Sequence, residues 1–378
     1  MIDMIYKKFK DKELSMLGMG GMRFPCDAEG NVDFEKTSEL FDMCMKNGIN
    51  YFDTAWFYHG GKSEEIMGKI LSKYPRDSYY VADKMPWDEY EDPQGVEKLF
   101  DTQLERTGLD YFDFYLFHNV SEPTIKYYTD EKYGVYDVLM KKKREGKIKH
   151  LGFSTHGGLE NIEEFILKYR DDLEFCQIQL NWLDWTLQQA KEKVELLNKY
   201  NLPIWVMESV RGGYLASLSD EDEAMLKTMR PDESIAAWSF RFLQSIPNVT
   251  MILSGMSSAE QIEDNIKTFC EEKQLSDCEM SALFGIADKI LSKKTLACTN
   301  CKYCMSECPQ GLEIPKLLSL YNKMCLVKNN PSVGKVKEKT EKLPDLCIGC
   351  GACEKKCPQN IGIAEIMAEF SEKLGLTR

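Results

Sequence analysis

Near the C-terminus, one cysteine spacing, C-x2-C-x2-C-x3-C-P, occurs twice. Three thiolates in one tight loop can cap one face of an iron–sulfur cubane, and the fourth cysteine of such a run usually ligates the other cluster. The spacing therefore predicts two [4Fe-4S] clusters with crossed ligation. One would be held by Cys298, Cys301, Cys304 and Cys357, and the other by Cys347, Cys350, Cys353 and Cys308.

Zinc and disulfide bonds are the alternative uses of these cysteines. Zinc sites seldom use three cysteines at successive two-residue spacings followed by Cys-Pro. Disulfides need an oxidising compartment, whereas the segment MIDMIYKKFK lacks a secretory apolar run and no stretch approaches a membrane span. We therefore expect a soluble, cytoplasmic protein without a membrane partner. The other six cysteines are scattered, and we expect core or surface roles for Cys26, Cys44, Cys176, Cys270, Cys278 and Cys325.

Length and charge limit the domain organisation and the partners. A chain of 378 residues with 43% hydrophobic content can bury a large core and still carry a small appendage. We expect domains at residues 1–285 and 286–378. The formal net charge of −13 argues against nucleic acid as a partner, because phosphate binding needs a basic face.

One local stretch between the two cysteine runs is basic. A solvated loop is the ordinary interpretation of such a stretch. The alternative is a docking surface for an acidic electron carrier such as a ferredoxin, since charges at the rim of an interface steer association. The stretch contains Lys328, Lys335, Lys337, Lys339 and Lys342, opposed only by Glu338 and Glu341.

Before the cysteines, short apolar runs of strand length alternate regularly with amphipathic helical stretches. The predicted strands are Ser15–Gly20, Tyr51–Ala55, Tyr79–Lys84, Phe112–His118, His150–Ser154, Phe175–Asn181, Ile204–Ser209 and Thr250–Gly255. The predicted helices between and after them are Phe34–Asn47, Ser63–Tyr74, Gly95–Thr107, Tyr136–Glu145, Leu159–Tyr169, Leu187–Tyr200, Glu233–Ser245 and Ala259–Phe269.

Eight such units in sequence match a (β/α)8 barrel. The alternative, an open doubly wound sheet, should show a glycine-rich turn leading from its first strand directly into a helix. Here the first strand ends in GMGGMRF, and the next helix begins only near Asp33. The prediction is thus an α/β protein: a TIM barrel, then an added helix at Asp277–Ser292, then a small α-helical ferredoxin-like domain with helices Ile314–Lys323 and Ile363–Leu374.

Four polar residues lie at the carboxyl ends of predicted strands or just beyond, where such barrels carry their catalytic groups. They are Asp53, Tyr58, Lys84 and His118. A buried Lys84 ammonium would help Tyr58 to give or take a proton, and Asp53 would hold the lysine. His118 could orient a carbonyl oxygen. Taken singly, each residue also has an ordinary structural role, as an ion pair, a pocket wall or a satisfied histidine.

Taken together, these four positions resemble the catalytic tetrad of the aldo-keto reductase family. The resemblance covers roughly residues 1–269 and includes D-T-A-x-x-Y, GFS at Gly152–Ser154, QIQLN at Gln177–Asn181 and GMSSAEQIEDNI at Gly255–Ile266. It implies hydride transfer between NADP or NAD and a carbonyl or alcohol carbon, with Tyr58 protonating the nascent alkoxide. An aldo-keto reductase barrel followed by two clusters resembles a group of reductases common in anaerobes.

The resemblance also implies cofactor contacts. Ser154 and Gln177 would hold the nicotinamide carboxamide, and the Ser209–Gly213 loop, with Ser209, Arg211 and Gly212, would lie along the pyrophosphate. The implied neighbours of the adenosine end are Gly255, Ser257, Gln261, Asp264 and Asn265. Candidate substrate-lining residues are Trp56, Phe57, His59, Trp87 and Asn119.

Three departures from the family pattern concern the cofactor. Neither Gly255 nor Gln261 is basic, although the family often has a cation there for the 2′-phosphate of NADPH. Glu208 stands where many members stack an aromatic ring on the nicotinamide, and Thr155 replaces a common Asn. Ser257, Ser258 and Gln261 still offer neutral hydrogen bonds, so that cofactor binding needs no ion pair.

Two functions fit these features. The first is a reductase or dehydrogenase of a small carbonyl or alcohol whose clusters exchange electrons with a ferredoxin or another partner protein. The second is a redox-sensing or electron-transfer adaptor whose barrel binds nicotinamide with little turnover. An adaptor would be free to lose Tyr58 or Lys84, so their presence favours the enzyme.

Overall fold

The computed structural model describes residues 4–292, 296, 298–326, 336–337 and 339–376. The chain divides into two compact units, which we describe separately. The first comprises residues 1–210 and 216–276, and the second residues 211–215 and 277–378. In the described ranges, no helix combines the length and the apolar character needed to cross a membrane.

An antiparallel hairpin of β1 (Tyr6–Phe9) and β2 (Lys12–Ser15) precedes the barrel. Phe9 carries the hairpin into the barrel core, where its ring lies 5.0 Å from that of Trp205 and 5.7 Å from that of Phe114. Both partners stand in the first half of their strands. The hairpin therefore plugs the amino-terminal end of the barrel.

Eight parallel strands of the first unit close into the predicted barrel. Neighbouring strands follow chain order, and the last pairs with the first to close the ring. Each strand lies within two residues of its predicted bounds, so the barrel prediction is confirmed. The strands are β3 (Leu17–Gly20), β4 (Tyr51–Asp53), β5 (Tyr80–Met85), β6 (Phe112–Phe117), β7 (Ile148–Thr155), β8 (Cys176–Gln179), β9 (Ile204–Met207) and β10 (Val249–Ser254).

The helices of the first unit surround this barrel in sequence order. They are α1 (Phe34–Lys46), α2 (Ser63–Leu71), α3 (Pro93–Thr107), α4 (Ile125–Thr129), α5 (Val135–Arg144), α6 (Leu159–Tyr169), α7 (Asp184–Leu187), α8 (Ala190–Lys199), α9 (Asp220–Met229), α10 (Ile235–Gln244) and α11 (Ala259–Phe269).

One predicted helix, Leu187–Tyr200, is wrong in its first part. The chain forms α7, leaves the helical conformation at Gln188, and starts α8 only at Ala190. Gln189 takes a left-handed conformation with φ 51°, which interrupts the helical hydrogen-bond ladder. The short helix α4 and the helix α9 were not predicted.

The second unit is helical in its described part. It contains α12 (Asp277–Leu291), α13 (Ile314–Leu326), α14 (Ala352–Lys355) and α15 (Ile363–Lys373). Buried side chains of α13 and α15 share one core, in which the rings of Tyr321 and Phe370 meet edge to face at 5.7 Å. The domain boundary that we expected at residue 285 lies within α12.

Candidate active site and cluster sites

A buried ion pair joins β5 to β4. Lys84 Nζ donates hydrogen bonds to Asp53 Oδ1 at 2.6 Å and to the backbone oxygen of Thr54 at 2.7 Å. Only 1% of the Lys84 side chain and 3% of the Asp53 side chain are exposed. Burial raises the pKa of Asp53, and the Lys84 ammonium opposes this shift. Because desolvation of such a pair offsets most of its Coulomb energy, the pair is better explained by chemistry than by stability.

Tyr58 lies beside this ion pair. It begins a short 3-10 segment, Tyr58–Gly61, shortly after β4, and its side chain is buried. Lys84 Nζ is 5.1 Å from the centroid of the Tyr58 ring, and the imidazole of His118 is 6.2 Å from it at an interplanar angle of 87°. A phenol, an ammonium and an imidazole thus lie close together at the carboxyl ends of three successive strands. The sequence pattern predicts the three residues at these strand ends.

His118 directly follows β6 and is buried. Its backbone oxygen accepts a hydrogen bond from Tyr128 Oη at 2.7 Å, and its backbone N–H donates to Met85 at 3.1 Å. Burial, with a smaller contribution from Lys84, holds the pKa of His118 well below its usual range. The imidazole is therefore neutral near pH 7, a form that can donate one hydrogen bond to an uncharged carbonyl oxygen.

Aromatic rings surround His118. The Trp87 ring lies 5.3 Å and the Phe57 ring 6.1 Å from the imidazole, and the two rings lie 4.9 Å from each other. Asn119, the next residue in the chain, is buried in a left-handed conformation with φ 55°. Two of the predicted substrate-lining residues, Trp87 and Phe57, thus lie beside the imidazole, and Asn119 directly follows His118 in the chain.

The other two predicted substrate-lining residues pack elsewhere. The ring of Trp56 stacks on the guanidinium of Arg106 in α3, at 3.7 Å. The ring of His59 stacks on Phe24 at 5.2 Å, and His59 Nε2 accepts a hydrogen bond from the Phe24 backbone N–H at 3.1 Å. The contacts of Trp56 and His59 are thus those of side chains that pack the structure, and they do not place either residue beside His118.

Ser154 and Gln177 form one layer across β7 and β8. They are register partners, and each is almost completely buried. Ser154 Oγ accepts a hydrogen bond from the Asn119 backbone N–H at 2.9 Å. In the described part of the chain, Gln177 Oε1 is buried without a hydrogen-bond partner. A buried oxygen in this position suits a ligand amide, so these residues fit a nicotinamide carboxamide.

The residues predicted at the adenosine end cluster at the start of α11. The backbone N–H of Ser257 donates to Gln261 Oε1 at 2.8 Å, and the Gln261 N–H donates to Ser258 Oγ at 3.4 Å as part of the helix cap. Asp264 accepts a hydrogen bond from Ser234 Oγ at 2.6 Å. The helix start is therefore ordered by its own side chains, and its free N–H groups favour anions.

Further predicted cofactor residues have structural contacts of their own. Asn265 is buried and donates to Ser254 Oγ at 3.1 Å. Ser209 Oγ donates to the backbone oxygen of Leu253 at 3.0 Å. Arg211 and Gly212 begin the 3-10 segment Arg211–Ala216, most of which belongs to the second compact unit. Their part in cofactor binding stays a prediction.

Arg23 is a candidate binding residue that the sequence did not single out. It ends the 3-10 segment Gly21–Arg23 after β3, and its side chain packs against Gly255, where a Cβ would lie 2.9 Å from Arg23 Cδ. The aliphatic part of a basic side chain thus lies against Gly255, although neither Gly255 nor Gln261 is basic. The two residues are 232 positions apart in the chain. They meet because the last strand of the barrel pairs with the first, so the contact is not visible in the sequence.

Two cavities in the second unit are each lined by four cysteines. One is lined by Cys298, Cys301, Cys304 and Cys357. The other is lined by Cys347, Cys350, Cys353 and Cys308. The crossed grouping matches the sets expected from the sequence, with the last cysteine of each run joining the other run. Eight thiols converging in this way fit two cubane clusters.

The described part of the basic stretch is exposed to solvent. Lys337, Lys339 and Lys342 are exposed, and Lys342 Nζ donates to the Gln310 backbone oxygen at 2.6 Å. Lys328, Lys335 and Glu338 lie outside the described residues.

Comparisons with known proteins agree with both units. The sequence model of the Aldo/keto reductase family matches residues 16–288, and that of the 4Fe-4S dicluster domain matches residues 297–361. The chain is 25% identical over 303 residues to the uncharacterized oxidoreductase YqkF of Bacillus subtilis, covering 72% of this chain and 92% of that protein. It is 26% identical over 325 residues to the NADH-specific methylglyoxal reductase of Escherichia coli, covering 74% and 97%.

Solved structures show the same fold. The thermostable aldo-keto reductase Tm1743 superposes with a TM-score of 0.63 at 24% identity, covering 75% of this chain and all of that chain. The holo form of aldo-keto reductase AKR11C1 from Bacillus halodurans superposes with a TM-score of 0.62 at 22% identity, covering 75% and 96%.

Proposed function

Since the chain belongs to the aldo/keto reductase family and is an oxidoreductase with a 4Fe-4S dicluster domain, we propose that it transfers hydride between NADPH or NADH and a small carbonyl or alcohol substrate. The observation that carries the proposal is the buried Lys84–Asp53 ion pair beside Tyr58 and a neutral His118. An adaptor that only binds nicotinamide has no use for this costly arrangement.

The proposed mechanism assigns one task to each residue. Nicotinamide, when bound, would supply the hydride that the carbonyl carbon accepts. His118 donates a hydrogen bond to the carbonyl oxygen, which orients the substrate, and Tyr58 Oη gives its proton to that oxygen as negative charge develops. Lys84 stabilises the phenolate that remains, and Asp53 keeps the ammonium in place. The products are the alcohol and the oxidised nicotinamide, and the same steps in reverse oxidise an alcohol.

Cofactor binding is proposed to use both sides of the mouth. Ser154 and Gln177 would hold the carboxamide, because Gln177 Oε1 is a buried acceptor that a ligand N–H can satisfy. Arg23, beside Gly255, would pair with a phosphate of the dinucleotide. The name of the Escherichia coli relative makes NADH and methylglyoxal the first compounds to test.

For the second unit we propose two [4Fe-4S] clusters that exchange single electrons with a ferredoxin-like carrier. The two four-cysteine cavities support the number of clusters. The exposed lysines Lys337, Lys339 and Lys342 would steer an acidic carrier to this unit. Cysteine thiolates that ligate such clusters persist in a reducing compartment, so we propose a cytoplasmic location.

A Tyr58→Phe variant tests the barrel mechanism. The change removes one hydroxyl and keeps the ring beside Lys84, so we expect carbonyl reduction to fall by about 10²–10⁴-fold. Nicotinamide binding and iron content should stay at the wild-type level, and both are measured on the same anaerobic preparation. Unchanged reduction rates in this variant would remove Tyr58 as the proton donor.

A further inference from the structure

A second polar layer lies above Ser154 and Gln177. Thr155 pairs with Ile178, and side chains alternate along strands, so the next residues facing the same way as Ser154 and Gln177 are His156 and Gln179. His156 directly follows β7. Its Nδ1 lies 3.0 Å from Gln179 Oε1, so the two side chains bridge the ends of β7 and β8 on the side of the barrel mouth.

The tautomer of His156 follows from the partners of Gln179. The Gln179 Nε2 group donates to Asp184 Oδ2 at 2.7 Å, and Asn181 Nδ2 donates to the same oxygen at 2.7 Å. The backbone N–H of Asp184 donates in turn to Asn181 Oδ1 at 2.8 Å. Because this network turns the oxygen of Gln179 toward His156, His156 Nδ1 must carry the proton.

His156 Nε2 is therefore a hydrogen-bond acceptor. Burial lowers the pKa of His156 to about 4, so the imidazole is neutral near pH 7. Within the described ranges of the chain, Nδ1 bonds to Gln179 and no hydrogen bond is made to Nε2. His156 also contributes to the low pKa of His118, which indicates that the two imidazoles are close.

Thr155 cannot take the place of the Asn that the family often has here. Its Oγ1 donates to the backbone oxygen of Val120 at 2.5 Å and accepts from the Gly157 N–H at 2.9 Å. The hydroxyl is thus used within the loop. A carboxamide NH2 has two N–H donors, and the Gln177 oxygen would satisfy one of them.

We propose that His156 Nε2 accepts a hydrogen bond from the amide N–H of the nicotinamide carboxamide and selects for that amide. The proposal rests on the proposed function, because it requires a nicotinamide in the barrel mouth. It assigns His156 as a specificity-determining residue for the cofactor, with Gln179, Asn181 and Asp184 as the positioning residues that fix its tautomer.

The test uses a cofactor analogue that lacks the amide donor. In reduced 3-acetylpyridine adenine dinucleotide, a methyl group replaces the carboxamide NH2 while the carbonyl stays. Dissociation constants for NADH and for this analogue are measured by calorimetry on the anaerobic holoprotein, for the wild type and four variants. His156→Phe and His156→Asn lose an acceptor at the Nε2 position, His156→Gln can restore one, and Thr155→Val removes a neighbouring hydroxyl as the matched control.

We expect the wild type, His156→Gln and Thr155→Val to bind NADH more tightly than the analogue. Relative to them, His156→Phe and His156→Asn should lose about three- to tenfold of this preference, the effect of one neutral hydrogen bond. An equal preference in wild type, His156→Phe and His156→Asn overturns the inference, as does a change confined to the substrate KM. A wild type that binds neither dinucleotide, nor NADPH, overturns the proposed function and the inference with it.

Discussion

Replacing Lys84 by Met separates the structural role of the ion pair from its chemical role. The substitution keeps most of the side-chain volume but leaves the Asp53 carboxylate buried without the ammonium 2.6 Å away. Removing one partner of a buried pair costs about 3–5 kcal/mol, because the other charge remains desolvated. With both side chains almost fully buried, we expect a loss of unfolding free energy in that range, together with a loss of carbonyl reduction.

The double variant Asp53→Asn, Lys84→Met is the matched control. It removes the uncompensated charge, so it should regain about 1–3 kcal/mol of unfolding free energy relative to Lys84→Met alone. Its carbonyl reduction should stay low, because the ammonium that stabilises the Tyr58 phenolate is missing in both variants. Adding Asp53→Asn to Lys84→Met should therefore restore part of the unfolding free energy without restoring carbonyl reduction.

The pH dependence of the single variant has a definite sign. Burial already raises the pKa of Asp53, and loss of the Lys84 charge raises it further. A carboxyl group whose pKa is raised by folding gives stability that is present below its unfolded pKa of about 4 and is lost as pH rises through the folded value. The stability deficit of Lys84→Met should therefore shrink as the pH is lowered toward about 4.

Unfolding is measured anaerobically by circular dichroism in increasing urea, with reduction rates taken on the same samples. Equal stability of the wild type and Lys84→Met would refute the reasoning, because a buried Asp53 carboxylate without its partner would then cost nothing. Recovery of activity in the double variant would refute the proposed role of the ammonium.

Three further predictions follow from other parts of the molecule. Cys301→Ser and Cys357→Ser should each lower iron from about eight to about four atoms per chain and abolish the same paramagnetic signal; loss of different signals would contradict the crossed ligation. Gly68→Ala should cost more than about 2 kcal/mol, because its Cβ would lie 2.1 Å from a backbone oxygen of α3, whereas Gly285→Ala, with open space around it, should gain up to about 1 kcal/mol. Urea denaturation compares the two. Arg23→Ala should weaken binding of NADH or NADPH by about tenfold or more in calorimetry, and unchanged affinity would exclude Arg23 from phosphate binding.

The barrel was predictable because its signal is local and repeated. Most barrel strands lie in short, largely apolar runs, and the carboxyl ends of parallel strands must meet at one rim. That topology is enough to bring Asp53, Lys84 and His118 together before any distance is known. The β1–β2 hairpin was missed because its segments YKKF and KELS are short and mostly polar, and only Phe9, Leu14 and Ser15 of the two strands are buried.

The grouping of the eight cysteines around two cavities was predictable for a different reason. A fixed spacing of thiols reflects the shape of the group they hold, so the pattern carries three-dimensional information by itself. The break between α7 and α8 carries no such pattern. Gln189 adopts a left-handed conformation that is usual for glycine but not for glutamine, so nothing at this position marks the break. The sequence around it predicts one continuous helix.

Arg23 and His156 depend on contacts that the sequence alone does not reveal. Each gains its significance from a partner on another part of the barrel, Gly255 for Arg23 and Gln179 for His156. His156 could have been noticed, since it follows Ser154 by two residues and so must face the same way. Its chemistry could not, because the imidazole is an acceptor only if Asp184 fixes the amide of Gln179. The proposed role of His156 therefore depends on Asp184, which does not contact the ligand but fixes the orientation of Gln179. Only the closed barrel brings these three side chains together.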